Sequence, residues 1–289
     1  MKNETGVLYF NHSRPHLARL LVSIFSLRKH FSAPICILDT GYSEGVIDKI
    51  AADERLAVRT MSIAFVQRRK NSCYNMKASL WRESPFSNFL FLDADTIVAN
   101  SIAPLIDGIE SPVNAPLLVT RFSDWTTATP IIRGRIEKWR GVKADGIIAD
   151  HLIEASYRQE WPAINTGVFG ARTADGQSIL SAWERLTHAG WKCPFTDELS
   201  MQLIVRKFSH AIASDRFNCS PIYGAEKSAA VIWHAHGSKH VTGGEEGRGA
   251  EGHRIWFPIF REAWEANAGG VRDWAPAGDD RLARHLPPA

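Results

Sequence analysis

An alternation of short apolar runs with helical segments over the first hundred residues restricts the fold more than any other feature of the sequence. The run GVLYF is followed by a segment in which Leu17, Leu20, Leu21 and Ile24 recur at helical spacing. APICILDTG then has the character of a second strand closed by Gly41, and LAVRTMSI and NFLFLDADTIV follow as further strands. Strands that alternate with helices predict an α/β fold with a Rossmann-like, mostly parallel sheet flanked by helices.

Composition narrows the class of protein. A chain of 289 residues with 45% hydrophobic residues can bury a large core, and the net charge of +3 comes from scattered Lys and Arg, which argues against a nucleic-acid partner. The four cysteines have no CxxC spacing, so we expect a reducing, cytoplasmic setting without a zinc or disulfide framework. No apolar stretch reaches the roughly 18 residues of a membrane span, and no signal peptide is visible.

Two aspartates, Asp93 and Asp95, stand at the end of the run NFLFL. Residues i and i+2 of a strand project from the same face, so both carboxylates can converge on one cation. Hard carboxylate oxygens suit Mg²⁺ or Mn²⁺, and such a cation keeps coordination positions for phosphate oxygens. The pair therefore indicates a metal-bound diphosphate. The alternative is a strand end turned by a DxDT loop that caps a following helix.

Five stretches of the chain, from about residue 5 to residue 240, match the motifs of one known family in order. FLFLDADTIVANSIAPLID, with YNMKASLWRESPF before it, resembles the DxD region of retaining glycosyltransferases of the family 8 type, which have a nucleotide-sugar-binding GT-A fold. ICILDTGYSEGVIDKI resembles the second strand and following helix of that family. AINTGVFGAR, TDELSMQ and IWHAHGSKH resemble its FNAGV, DQDxxN and HxxGxxKPW segments. The resemblance implies a metal-dependent transferase that uses a nucleotide sugar.

The resemblance also implies a metal site. Asp93 would touch the ribose or the metal, and Asp95 would ligate a Mn²⁺ or Mg²⁺ ion that bridges the donor diphosphate. His234 matches the third ligand of the family by its spacing to Gly237. The strand VIWHAH places His234 and His236 on one face, so His236 is the alternative ligand. A structural role as hydrogen-bonded strand histidines is the competing interpretation.

Four further residues match donor-site positions of the family. Gly237 and Lys239 belong to the closing motif, where Lys239 would neutralise the β-phosphate as the nucleotide leaves, unless it is a surface lysine. Asn165 would lie on the sugar side of the site. Lys77 matches a lysine before the DxD strand, and the sequence does not separate a substrate contact from a helix-surface charge.

The catalytic side chains implied by the resemblance are Asp197 and Glu198. Asp197 would orient hydroxyl groups of the donor sugar or the acceptor, and Glu198 stands where the family usually has Gln, beside the reacting carbon. The same segment, TDELSMQ, is also typical of a helix start with acidic residues in its first turn. Leu199 replaces a family Asp, which leaves the handling of the acceptor open.

The loop NHSRPH departs from the family, because it lacks the acidic residue and the tyrosine that commonly hold uracil. Asn11 and His12 are the substitutes that remain, so the identity of the base stays open. UDP is the simplest expectation for the nucleotide, and the acceptor is a carbohydrate, a lipid or a protein.

The expected organisation is a single domain with a C-terminal extension. A GT-A-like domain would cover residues 1–267, with a nucleotide-binding half at about 1–100 and a sugar and acceptor half at 101–240. The Gly- and Glu-rich stretch at 242–253 is expected to be mobile, and residues 268–289 to form a peripheral tail.

Two other functions fit parts of the sequence. In a haloacid-dehalogenase-like phosphatase Asp93 would be the nucleophile, Asp95 the general acid and base, and Mg²⁺ the cofactor. That reading needs a later acidic pair after a strand, for which Asp279 and Asp280 are the candidates. The other alternative is a non-catalytic protein that binds a nucleotide sugar or a carbohydrate.

Overall fold

A seven-stranded sheet organises the fold in the computed structural model, which describes residues 4–43, 45–64, 72–235 and 250–275. Its strands, with the short ones beside them, are β1 (Thr5–Asn11), β2 (Ile35–Asp39), β3 (Val58–Ser62), β4 (Asn88–Leu92), β5 (Thr96–Val98), β6 (Leu117–Thr126), β7 (Lys143–Ala144), β8 (Ile147–Ile148), β9 (Pro162–Arg172), β10 (Ala211–Ala213) and β11 (Ile232–His234). The main sheet has the order β10-β6-β9-β4-β1-β2-β3, and β9 alone runs antiparallel to its neighbours. The predicted α/β fold with a mostly parallel sheet is confirmed.

Helices cover both faces of this sheet. They are α1 (Leu17–Arg28), α2 (Val46–Ala52), α3 (Ser72–Lys77), α4 (Ala103–Glu110), α5 (Pro130–Ile136), α6 (Ala149–Arg158), α7 (Thr173–Ala189), α8 (Thr196–Ile204), α9 (Ala250–Glu265) and α10 (Val271–Trp274). Successive residues of a strand point to opposite faces, so Val7 and Tyr9 of β1 join one core while Leu8 and Phe10 join the other. Burial on both faces explains why the strands are continuous apolar runs.

The strand order changes direction at β1. The chain moves from β1 to β2 and β3 on one side, and then returns to the other side of β1 as β4. Ligands of open α/β sheets bind at such a switch point, outside the carboxyl ends of the strands. Asp93 and Asp95 follow β4 directly and therefore lie at this edge.

The last described residues belong to the core. The sequence predicts a peripheral tail from residue 268, whereas Ala268, Val271 and Trp274 are buried against the cluster that contains α1 and α2. Residues 268–275 pack into the core through these apolar side chains. In the sequence the apolar residues are interspersed with polar ones, so the segment does not stand out as a core element. The remainder of that tail and most of the expected mobile stretch, residues 242–249, lie outside the described residues.

None of the helices in the described ranges is long and apolar enough to cross a bilayer.

Candidate functional site

The aspartate pair lies in a tight turn between β4 and β5. The Asp93 amide donates to the Gly167 carbonyl of β9 at 2.8 Å, and the Thr96 hydroxyl closes the turn by donating to the Asp93 carbonyl at 2.8 Å. Thr96 also shares a hydrogen bond of 2.8 Å with the Ser23 hydroxyl of α1. The turn leads into β5 and not into a helix, so the two carboxylates are brought together by a braced turn and not by helix capping.

His234 completes a cluster with the two aspartates. The pairing of β11 with β5 sets His234 opposite Thr96, and its Nε2 atom lies 3.1 Å from Asp95 Oδ1 and 3.6 Å from Asp93 Oδ2. One ligand atom from each of the three side chains lies within 4.8 Å of the others. Two carboxylate oxygens and an imidazole nitrogen form a donor set that suits a divalent cation, so these residues fit the metal that the DxD motif implies.

The imidazole of His234 occupies space beside β9 that is free because residue 167 has no side chain. A β-carbon at Gly167 would fall 2.0 Å from His234 Cε1 and 2.8 Å from Asn165 Oδ1, which no real structure tolerates. Burial disfavours the charged ring, but the carboxylates of Asp95 and Asp93 outweigh it and raise the pKa of His234 above its usual range. The cluster is thus electrostatically arranged to hold positive charge.

Lys77 joins this cluster to α8. Its Nζ lies 2.8 Å from Asp93 Oδ1 and 3.2 Å from Asp197 Oδ2, and its side chain is only 8% exposed. Burial opposes the charge of Lys77, but the two aspartates outweigh it and raise its pKa. Lys77 is therefore a buried ion-pair partner at the site and not a charge on a helix surface.

Asp197 and Glu198 occupy the first turn of α8 and also face the site. Thr166 donates to Asp197 at 2.9 Å, and the Asn165 amide donates to Glu198 Oε2 at 3.0 Å. The helix-start interpretation and the site interpretation are therefore compatible. Burial, reinforced by the neighbouring charge of Asp197, raises the pKa of Glu198 to about 7.

The β1–α1 connection supplies the other wall of the site. Phe10 and His12 are stacked with ring centroids 5.4 Å apart, and His12 meets His16 edge to face at 4.6 Å. Burial lowers the pKa of both histidines to about 4, so this wall presents neutral imidazoles at neutral pH. The buried guanidinium side chain of Arg19 lies one helical turn further along.

These two walls enclose a cavity of about 460 Å³. Eight residues proposed from the sequence line it, namely His12, Lys77, Asp93, Asp95, Asn165, Asp197, Glu198 and His234. Asn11 lies elsewhere, since it is fully buried and donates its amide to Asp39 at 2.7 Å. The pairing of β1 with β2 causes this, because Asn11 faces Asp39 across the β1–β2 register. His236, Gly237 and Lys239 lie outside the described residues.

The cavity also contains residues that the sequence did not single out. They are Phe10, His16, Arg19, Cys73, Tyr74, Ala94, Thr166 and Phe195. Most of them lie one to four residues from a motif position. Closeness to the loop after β1 or to the segment TDELSMQ is therefore the sequence signal that could have identified them. Phe195 has a left-handed backbone with φ of 49° and an exposed ring, a strained conformation that occurs preferentially at functional sites.

Several solved glycosyltransferases have a fold similar to that of this chain. The galactosyltransferase LgtC, in complex with donor and acceptor sugar analogues, superposes with a TM-score of 0.62 at 15% identity, over 88% of this chain and 95% of LgtC. Mouse xyloside xylosyltransferase 1 gives 0.51 at 11% identity, over 81% of this chain and 97% of its own. GlyE of Streptococcus pneumoniae gives 0.54 at 14% identity, over 92% and 64%.

No family model and no curated protein sequence matches the chain. The structural similarity shows that the chain has the GT-A glycosyltransferase fold that its motifs predict. At these identities the fold is what the similarity establishes, and the chemistry has to be argued from the site itself.

Proposed function

We propose that the protein is a metal-dependent glycosyltransferase that moves a hexose from a nucleotide diphosphate sugar, most simply a UDP-sugar, to a carbohydrate, lipid or protein acceptor. The observation that carries the proposal is the convergence of Asp93, Asp95 and His234 at the sheet edge, beside a cavity that also contains Asp197 and Glu198. A GT-A fold with this donor set at this edge supports transfer from a metal-bound diphosphate donor.

The metal would be held by Asp93, Asp95 and His234, as Mn²⁺ or Mg²⁺. When bound, it supplies positive charge to the diphosphate that departs with the nucleotide. Gly237 and Lys239, which lie outside the described residues, remain proposed contacts of the β-phosphate, and His236 remains the proposed alternative ligand.

The side chains of the other wall position the sugar. Lys77 holds Asp93 and Asp197 at fixed places, and the Asn165 amide orients the Glu198 carboxyl group toward the cavity. Asp197 is proposed to bind sugar hydroxyl groups, and Glu198 to lie beside the anomeric carbon. A carboxylate there would stabilise the positive charge that develops on the sugar ring, and transfer with retention is the stereochemistry that the family resemblance implies.

The alternative functions find less support. The phosphatase requires a different fold, and its candidate acidic pair, Asp279 and Asp280, lies outside the described residues. A non-catalytic binding protein has less need of two adjacent acids in the cavity, one of them with a pKa near neutrality. Release of free nucleotide diphosphate from a nucleotide sugar, measured with and without acceptor extracts, separates an enzyme from a binding protein.

A thermal-shift titration tests the donor site. Wild-type protein, Asp95→Ala and the exposed control Asp107→Ala are melted with UDP or GDP, each with and without Mn²⁺. A ligand at about 100 times its dissociation constant adds roughly 2.7 kcal/mol, which raises the Tm by several degrees in a chain of this size. We expect a nucleotide-selective, Mn²⁺-dependent shift in the wild type and in Asp107→Ala, and its loss in Asp95→Ala.

A shift that survives in Asp95→Ala would contradict the assigned metal site. A shift with Mg²⁺ and beryllium fluoride, but with neither nucleotide, would favour the phosphatase.

A further inference from the structure

We infer that Asn218 is a positioning residue of the metal site, which fixes the imidazole of His234 so that Nε2 faces the aspartates. The inference rests on the metal site of the proposed function and adds to it a residue that no motif marks. Asn218 is fully buried and directly precedes Cys219, whose backbone pairs with β11 on the side away from β5. The Cys219 amide donates to Ile232 at 2.8 Å, and the His234 amide donates to Cys219 at 2.9 Å.

The side chains of Asn218 and His234 meet inside this pairing. His234 Nδ1 lies 2.8 Å from Asn218 Oδ1. On the other side of the amide, Asn218 Nδ2 lies 2.7 Å from the Thr120 hydroxyl and 3.0 Å from Asn165 Oδ1. The contact is therefore part of a buried polar network and not an isolated pair.

That network determines which atom of the amide faces the histidine. The Thr120 hydroxyl donates its single proton to the Val168 carbonyl at 2.8 Å, so it accepts from Asn218. Asn165 Oδ1 accepts from the Gly167 amide at 2.8 Å, so it too faces a donor of Asn218. Both neighbours require the NH₂ group of Asn218 on their side, which leaves its carbonyl oxygen for His234.

The protonation of the imidazole follows from this orientation. Because Asn218 Oδ1 only accepts, Nδ1 of His234 carries a proton and donates it. The lone pair available to a cation is then on Nε2, the atom that lies 3.1 Å from Asp95. A ligating histidine held in this way by its second nitrogen loses about 10- to 100-fold in metal affinity when the partner is removed.

The same network reaches the proposed catalytic side. Asn165 accepts from Asn218 through Oδ1 and donates to Glu198 through its own NH₂ group. Two buried amides therefore connect the histidine ligand with the carboxyl group expected beside the sugar. Asn218 thus holds the two halves of the site in one arrangement.

Binding of Mn²⁺ in the absence of nucleotide tests the inference. Electron paramagnetic resonance of free Mn²⁺ gives the dissociation constant for the wild type, Asn218→Leu, Asn218→Asp and Thr120→Val. Asn218→Leu removes the acceptor at constant size, whereas Asn218→Asp keeps an acceptor for Nδ1. Thr120→Val removes one of the two acceptors that orient the Asn218 amide, but it leaves the second, Asn165 Oδ1, and the contact of Asn218 with His234 in place, so it should cost much less affinity than Asn218→Leu.

We expect Asn218→Leu to weaken Mn²⁺ binding by about tenfold or more, and Asn218→Asp and Thr120→Val to stay within about threefold of the wild type. Affinity unchanged in a folded Asn218→Leu, or an equal loss in Thr120→Val, would overturn the inference while leaving the transferase standing. A wild type that binds no Mn²⁺ would overturn the metal dependence and this inference together.

A measurement on the wild type covers the case in which Asn218→Leu does not fold. In ¹⁵N-histidine-labelled protein with a diamagnetic divalent cation, the His234 resonances, assigned by comparison with His234→Gln, should show a protonated Nδ1 and an unprotonated Nε2. The opposite tautomer would exclude the role assigned to Asn218. Because no sugar nucleotide is present, the result is independent of turnover.

Discussion

At the scale of single residues, two adjacent carboxyl groups at the start of α8 have different environments. Asp197 accepts from Thr166 and lies 3.2 Å from the Lys77 ammonium group. Glu198 accepts from the Asn165 amide and lies near the Arg135 guanidinium, whose Nη1 is 3.8 Å from Glu198 Oε1. Burial and the neighbouring charge of Asp197 raise the pKa of Glu198 to about 7, because the nearby cations and the Asn165 amide offset them only in part. A carboxyl group whose pKa is raised by burial in a cleft, beside other charged side chains, is typical of catalytic sites.

This environment predicts that Glu198→Gln stabilises the protein at alkaline pH. A carboxyl group with a raised pKa in the folded state binds its proton more tightly there than in the unfolded chain. It therefore costs stability as the pH rises from about 4.5 to about 7, and the full cost applies above that window. Urea unfolding in EDTA should show Glu198→Gln more stable by about 1 to 3 kcal/mol at pH 8, with the difference shrinking below pH 5.

The exposed Glu110→Gln serves as the control and should change stability little at either pH. A Glu198→Gln protein that is less stable than the wild type at pH 8 would show that the Glu198 carboxylate is well compensated in the fold. The same substitution should lower the rate of sugar transfer, since the proposed role of Glu198 needs its negative charge.

At the scale of elements, β9 is the strand on which the two halves of the site meet. It runs antiparallel between β4 and β6 and presents Asn165 and Gly167 at the edge where the aspartates lie. The Gly167 carbonyl accepts from Asp93, while the bare α-carbon of Gly167 leaves room for the His234 ring. The glycine is therefore required by close approach, since its φ is not in the left-handed region.

Gly167→Ala should consequently displace His234 and weaken Mn²⁺ binding by at least about tenfold, because loss of correct ligand orientation has effects of that size. The new β-carbon would lie 2.0 Å from a ring atom that Asn218 and Asp95 hold in place. Isothermal titration with Mn²⁺ measures the loss, and circular dichroism checks that the fold is kept.

Gly134→Ala is the matched control, because a β-carbon in the middle of α5 meets no atom within 4 Å. It should leave the affinity unchanged and stabilise the protein by about 0.5 to 1 kcal/mol, as glycine costs entropy within a helix. Wild-type affinity in Gly167→Ala would mean that His234 is not a required ligand.

At the scale of the whole molecule, the C-terminal helices complete one face of the sheet. Helix α9 packs against α1 through an aromatic stack in which the rings of Trp256 and Phe260 lie 4.7 Å apart and nearly parallel. Both side chains are 1% exposed. Because α1 also supplies Ser23, which contacts the aspartate turn through Thr96, this face supports the site from behind.

Trp256→Ala is therefore expected to lower the free energy of unfolding by about 3 to 5 kcal/mol, the usual cost of removing a buried large aromatic side chain. Arg254→Ala, on the exposed side of the same helix, should change it by less than about 0.5 kcal/mol. Urea unfolding followed by tryptophan fluorescence and circular dichroism measures both. A small effect of Trp256→Ala would mean that α9 is only loosely attached.

Much of the fold follows from local patterns, and less of the site does. The apolar runs allowed β1, β2, β4 and β9 to be predicted, because a run of apolar residues is a pattern within neighbouring positions of the chain. The fate of Asn11 was not predictable, since it depends on the register of β1 with β2, where Asp39 captures its amide. The burial of Lys77 was equally hidden, because its partner Asp197 comes from a helix far along the chain.

The sequence by itself determined an α/β chain with a mostly parallel sheet and two aspartates at its carboxyl edge, because periodicity and the short DxDT turn are local. The family resemblance implied His234 as a ligand, but only the tertiary structure decided that its Nε2 meets Asp95 across 139 residues and that Asn218 orients its ring. It also decided that Gly167 leaves the space in which the ring lies. Contacts of such separation are fixed by strand pairing and packing in three dimensions, which no short stretch of sequence encodes.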